Sequence, residues 1–173
     1  MLKLKGITNV DSIQNESDFY VRIKIIFERH YNATDPTFYW STLGPQNTFV
    51  EIGIKEFTGA PYDITVVTMP QNYTKKRPDN ASNLTEKTGL PLFDVETHLK
   101  NHPKDHFFRE SKDFDLYVDQ QCVVLLFSSN KITMNIINGP IIFGFDSNNF
   151  LCSIEIKGTT LNKEGFLEEI KKS

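Results

Sequence analysis

The stretch Cys122–Gly158, CVVLLFSSNKITMNIINGPIIFGFDSNNFLCSIEIKG, constrains the fold more than any other part of the chain. It reads as four short strands, Cys122–Phe127, Ile132–Ile137, Pro140–Phe145 and Phe150–Ile156. β-branched and aromatic residues dominate them, as a pleated, half-buried surface favours. The connectors are Ser128-Ser129-Asn130-Lys131, Asn138-Gly139 and Asp146-Ser147-Asn148-Asn149. Asn-Gly between apolar runs signals a type I′ hairpin, in which both central residues take positive φ. Pro140 has no N–H for a ladder, so it should open its strand or lie on an edge. Consecutive hairpins predict an antiparallel meander. Cys122–Phe127 has no polar member, which predicts a central strand covered on both faces. In the last strand Leu151, Ser153, Glu155 and Lys157 alternate with Cys152, Ile154 and Ile156, which predicts one wet and one dry face.

The remaining chain carries further strand signals. Leu2–Ile7 alternates Leu2 and Leu4 with Lys3 and Lys5. Asn9–Asp18 is polar and reads as a turn or short helical segment. Phe19–Phe27 places Phe19, Val21, Ile23, Ile25 and Phe27 on one side at a period of two, which favours a strand over a helix capped by Asp18. His30–Gln46 holds the breakers Pro36, Gly44 and Pro45 around Phe38-Tyr39-Trp40. Phe49–Phe57 and Tyr62–Met69 flank Thr58-Gly59-Ala60-Pro61 and read as a hairpin, with Gly53 marking a bulge or a close backbone approach. Pro70–Pro91 is polar and reads as a long exposed loop. Asp94–Asn101 reads as a short helix capped by Asp94 and stopped by Pro103. Phe114, Leu116 and Val118 alternate as a strand leading into the meander. Asn162 to about Lys172 reads as a final helix with Phe166, Leu167 and Ile170 on its apolar stripe. The expected fold is a single α+β domain over residues 1–173. It is predominantly antiparallel β, a sandwich or strongly curved sheet, with one or two peripheral helices and a C-terminal helix.

Composition narrows the function classes. The formal charge is −3, which argues against a nucleic-acid binder. No apolar run approaches the ~20 residues of a membrane span, and MLKLKGITNV lacks a signal-peptide core, so a soluble cytoplasmic chain is expected. Two cysteines, Cys122 and Cys152, read as buried thiols. The sequons at Asn15, Asn32, Asn72, Asn80 and Asn83 are read as part of an Asn-rich composition. Lys75-Lys76-Arg77 gives the long loop a basic character. The acidic residues Asp94, Glu96, Asp105, Glu110, Asp113, Asp115 and Asp119 follow it, a solvated face or a docking surface for a basic partner.

Candidate chemistry is sparse. His98, His102 and His106 are spaced four and four apart, which would suit a metal or acid–base work beside Asp94 or Asp105 if one helix carried all three. Pro103 interrupts that helix, so neither a metal nor a cofactor is expected. No G-x-S-x-G, P-loop, G-x-G-x-x-G or H-E-x-x-H is present, which argues against an enzyme. Tyr39 and Trp40 are candidate interface anchors, or rings that close one end of the core.

A small, acidic, aromatic-rich chain without a catalytic motif resembles the immunity proteins of bacterial toxin–immunity systems of the contact-dependent inhibition type. The resemblance is one of general character and carries no residue across. It implies a cytoplasmic inhibitor that covers a cognate toxin domain, often a basic nuclease. The residues expected to contact such a partner are Glu96, Asp105, Glu110, Asp113 and Asp115, then Tyr39 and Trp40. The alternatives are a small apolar-ligand binder built on a Phe-rich curved sheet, or an enzyme using the His98–His106 region.

Overall fold

The computed structural model describes residues 1–16, 18, 21–31, 34–44, 48–67, 84–111, 113–118 and 121–158. The expected C-terminal helix and most of the Pro70–Pro91 loop lie outside them. The described chain is mostly β, with antiparallel and mixed sheets and two short helices. No described helix is long and apolar enough to cross a membrane.

The strands in chain order are β1 (Leu4–Thr8), β2 (Ile13–Asn15), β3 (Val21–Phe27), β4 (Thr37–Leu43), β5 (Phe49–Lys55), β6 (Pro61–Val67), β7 (Thr85–Thr88), β8 (Leu90–Phe93), β9 (Phe107–Glu110), β10 (Asp115–Val118), β11 (Cys122–Leu126), β12 (Met134–Asn138), β13 (Ile141–Phe145) and β14 (Leu151–Lys157). Helix α1 is Glu28–Tyr31 and α2 is Glu96–Asn101. One six-stranded sheet has the order β10-β11-β14-β13-β12-β7, a second has β2-β3-β6-β5-β4-β9, and β1 pairs with β8. Two pairings are parallel, β12 with β7 and β4 with β9.

One apolar core joins the two large sheets. Alternate residues Ile23, Ile25 and Phe27 of β3 and Val50, Ile52 and Ile54 of β5 are fully buried, as period-two patterning requires. They share a core with Val123 and Leu125 of β11, Phe143 and Phe145 of β13, and Ile154 and Ile156 of β14. Rings bridge the layers, Phe27 to Phe143 at 6.4 Å and Trp40 to Phe127 at 5.3 Å, edge-on.

The meander expected over Cys122–Gly158 holds for β12-β13-β14 only. β11 pairs with β10 and β14, so Ser128–Lys131 does not close a hairpin. The Leu125–Ile154 and Val123–Ile156 register buries four branched residues at 0% exposure. β11 is buried on both faces as expected, with Val123 and Leu125 on one and Val124 on the other. Cys122 and Cys152 form no disulfide, and Cys152 is buried as expected whereas Cys122 is half-buried. The wet face expected of β14 begins only at Glu155, since Leu151, Cys152 and Ser153 are all buried.

The Asn-Gly turn differs from the expected type I′ form. Asn138 is the last residue of β12, fully buried, and only Gly139 takes positive φ, at 58°. The Asn138 carboxamide is committed elsewhere. Its Nδ2 donates to the Asp11 carbonyl at 2.9 Å and its Oδ1 accepts the Asp11 N–H at 2.7 Å. This two-bond clasp holds the segment before β2 to the first sheet, and the turn shifts to Gly139-Pro140.

Six elements depart from the sequence expectation, among them α1 and β9, where neither a helix nor a strand was expected. β4 emerges between the breakers Pro36 and Gly44. The segment read as a turn contains β2, a three-residue strand paired with β3. The stretch read as loop contains β7, whose Thr85-Glu86-Lys87-Thr88 is wholly exposed and joins the sheet by main-chain bonds, without an apolar face. Its Pro91 end lies in β8, opposite Ile7 of β1.

Candidate functional site

The second sheet turns its outward side chains into a mixed aromatic and charged surface. With Val50, Ile52 and Ile54 inward, β5 leaves Phe49, Glu51, Gly53 and Lys55 on the other face. Register places Tyr39 and Ser41 of β4 and Asp63 and Thr65 of β6 beside them. The parallel edge strand β9 adds Phe107 beside Tyr39 and Arg109 beside Ser41.

Aromatic rings gather at one corner of this face. Tyr39 stacks on Phe107 with centroids 4.9 Å apart and planes 9° from parallel. Tyr62 meets Tyr39 edge-on, and their hydroxyls are 3.2 Å apart in a hydrogen bond. Lys55 places its ammonium 4.8 Å over the Tyr62 ring. The anticipated irregularity at Gly53 builds this corner. The β5–β6 register shifts between Gly53 and Ile54, and a Cβ on Gly53 would lie 2.1 Å from Tyr62 Cε1. Asp63 Oδ1 accepts the Gly53 N–H at 3.1 Å and fixes the bulge.

Two phenylalanines at the corner face solvent, Phe107 at 65% exposure and Phe57 at 74%. Each follows a member of the Glu56–His106 pair in sequence, and that pair ties the β5–β6 turn to the start of β9. The Tyr39 N–H adds a bond to the His106 carbonyl at 2.8 Å. Gly59, at φ 78°, donates its N–H to the Lys55 carbonyl at 2.7 Å and accepts the Phe93 N–H on its own carbonyl at 2.7 Å, which anchors the same turn.

The buried members of this face have displaced proton affinities. Burial pushes the Asp63 carboxyl up, against the opposing pull of the Gly53 N–H, Lys24 and Lys55. Burial and then the Asp63 charge push Glu51 up. Burial, the Tyr39 hydrogen bond and the nearby carboxylates push the Tyr62 hydroxyl up, which keeps it neutral as a hydrogen-bonding group.

The expected contact residues scatter. Tyr39 lies in the corner, whereas Trp40, next along β4, points inward at 2% exposure and is a core residue. Its indole N–H donates to Glu110 Oε2 at 3.2 Å. Glu110 also pairs with the Met1 ammonium, so it is a structural acceptor and not a surface contact. Glu96 is exposed on α2 but is paired with Lys100 at 2.8 Å and Lys5 at 3.6 Å. Asp105 precedes β9, exposed, with Oδ1 accepting the Phe107 N–H at 3.2 Å. Asp113 and Asp115 follow β9, exposed and without an ion pair among the described residues. Sequence reading missed Phe107, Tyr62 and Phe57. The signal for the first two was alternation in β9 and a bulge glycine facing a tyrosine.

The histidines divide. Helix α2 ends at Asn101, so His106 leaves the helical face and joins Glu56. His98 and His102 remain adjacent, with ring centroids 5.1 Å apart. Among the described residues no group of three His, Cys, Asp or Glu is arranged to hold a metal. Asp94 caps α2 as expected, accepting the Thr97 N–H at 3.1 Å and the Thr97 hydroxyl at 2.8 Å. Burial raises its carboxyl, but these bonds with Lys5 and Lys3 outweigh burial and hold it below the usual carboxylate range.

No protein-family model matches this chain, and no curated protein is detectably similar to it.

Proposed function

We propose that this protein acts by binding another protein, as an immunity-type inhibitor of a basic toxin domain, through the Tyr39–Phe107 corner and the open side of β9. The observation that carries the reading is the exposed Phe107, stacked on Tyr39 at a sheet edge that the bulge and the Glu56–His106 pair hold in place. An exposed aromatic on a rigid support loses little freedom on binding and gains a large buried area, as interface anchors do. Asp105 precedes β9 in the chain and Asp113 and Asp115 follow it, all three exposed. That pattern favours a partner with a basic face.

Such an inhibitor needs shape, charge and a few anchors, and no chemistry of its own. Affinity capture from the native host, followed by expression of the captured protein alone, tests the proposal. The expected partner is basic, stoichiometric and growth-arresting by itself, and its toxicity disappears on coexpression with this chain. Asp113→Lys with Asp115→Lys slows its association roughly tenfold and leaves the melting temperature unchanged. A neutral or acidic partner, or one whose activity is untouched in the complex, overturns the reading.

A further inference from the structure

A cleft of about 390 Å³ lies beside α2, away from the aromatic corner. Its size falls in the range of small-molecule sites. Phe38, Trp40, Phe108 and Phe150 form its apolar walls, and Lys3, Asp94, Thr97, His98, Asn101 and His102 form its polar side.

The polar groups differ in what they have left to offer. Both Asp94 oxygens are occupied by Thr97, and Asn101 Nδ2 donates to the Thr97 carbonyl at 3.1 Å. The Lys3 ammonium lies 5.7 Å over the Phe150 ring, close enough to Asp94 to lower its carboxyl, and no hydrogen bond or ion pair joins that ammonium to a described residue. His98 sits among rings, 5.1 Å from Phe38 and 5.0 Å from Phe108, and its Nε2 is buried without a hydrogen-bond partner. Leaving such an atom unpaired costs about 1–3 kcal/mol. The His102 ring, tilted 36° against that of His98, belongs to an exposed residue at the rim. Both Asp94 oxygens are thus engaged while its charge still faces Lys3, and the groups without a direct hydrogen bond are an ammonium and two imidazoles. They face an aromatic wall, and rings of this kind favour a flat apolar body over a flexible chain.

We propose that this cleft binds a small aromatic carboxylate, with the ring against Phe38, Phe108 and Phe150 and the carboxylate toward Lys3 and the His98–His102 pair. The cleft shares no residue with the Tyr39–Phe107 corner, although Phe38, Trp40 and Phe108 are chain neighbours of that corner on β4 and β9.

Trp40 is the single tryptophan of the chain and lines the cleft, so its fluorescence reports occupancy. The probes are phenylacetate, its neutral isostere phenylacetamide and the non-aromatic cyclohexylacetate. Phenylacetate should change Trp40 emission saturably and shift the backbone amide signals of Lys3 and of 96–102. Phenylacetamide and cyclohexylacetate should each bind at least fivefold more weakly. Lys3→Ala, at an exposed position, should weaken phenylacetate by a similar factor while the amide spectrum elsewhere stays unchanged. His102→Ala gives a second, independent variant at the rim. Equal binding of phenylacetate and phenylacetamide overturns the assignment of an anion. Absence of any shift at Lys3 and 96–102 with millimolar phenylacetate overturns the site.

Discussion

The two six-stranded sheets share a core but differ on their outer faces. The first, β10-β11-β14-β13-β12-β7, carries apolar residues on both sides of its centre, with Val124 outward and buried behind Val123, Leu125 and Ile154 inward. The second, β2-β3-β6-β5-β4-β9, keeps Ile23, Ile25, Val50, Ile52 and Ile54 inward and places Tyr39, Tyr62, Glu51, Asp63, Lys55 and Phe107 outward. The first sheet therefore packs on both sides of its centre, and the second packs on one side and carries the proposed binding face on the other. Substitutions that remove polar clasps from the first should unfold the protein, whereas substitutions on the outer corner of the second should spare the fold and abolish binding.

The largest effect is expected on the first sheet. Asn138→Ala strands the buried Asp11 N–H and carbonyl, which now bond to the carboxamide at 2.7 and 2.9 Å. Chemical denaturation should show a loss of about 2–5 kcal/mol, since each stranded group costs about 1–3 kcal/mol. A loss below about 1 kcal/mol would mean that water replaces the clasp and that the two sheets tolerate such changes alike.

On the second sheet Phe107→Asp should cost at least about 2 kcal/mol of partner affinity, measured by calorimetry, because an anchor is removed from the centre of the contact. Its thermal melt should stay within the scatter expected of an exposed site, about 0.5 kcal/mol. Gly53→Ala mixes the two behaviours. Its Cβ would stand 2.1 Å from Tyr62 Cε1 and 2.4 Å from Asp63 Oδ1, so the bulge must open. A stability loss of about 1–3 kcal/mol is expected together with weakened binding.

The smallest effect concerns pH. The folded Asp63 carboxyl is raised above its ordinary 3.8 by burial, so above that value the folded state holds more protons than the unfolded one. Stability from this group is complete below 3.8 and is lost as pH rises through the folded value. Asp63→Asn keeps an oxygen for the Gly53 N–H and carries no charge. It should raise the melting temperature at pH 7 and flatten the slope above pH 4. An unchanged slope would assign that dependence to Glu51, the other raised carboxyl on this face.

The same contrast explains which parts of the architecture were legible in the sequence. Apolar alternation marked β3, β5, β10 and β14, because a strand with one buried face must repeat at two, and β-branched and aromatic runs between turn signals marked β11–β13. The β5–β6 hairpin and the irregularity at Gly53 were also readable. β4 was not, because Pro36, Gly44 and Pro45 crowd a seven-residue strand, and with it went the inward turn of Trp40 and the outward turn of Tyr39. β7 left no trace, since Thr85-Glu86-Lys87-Thr88 pairs by backbone alone. The β11–β14 pairing is a choice among distant partners that no local pattern encodes. Acidic residues read as one surface were separated for a similar reason. Glu110 answers the buried indole of Trp40, and Glu96 answers Lys5 and Lys100.

Affinity capture with three versions of the chain side by side tests the proposed binding face most directly. These are the unaltered protein, Phe107→Asp, and Lys157→Glu on the exposed end of β14 in the first sheet. The same stoichiometric partner should elute with the unaltered chain and with Lys157→Glu, and should be missing from Phe107→Asp. Equal recovery of that partner by Phe107→Asp would contradict the assignment of the second sheet's aromatic corner as the binding surface.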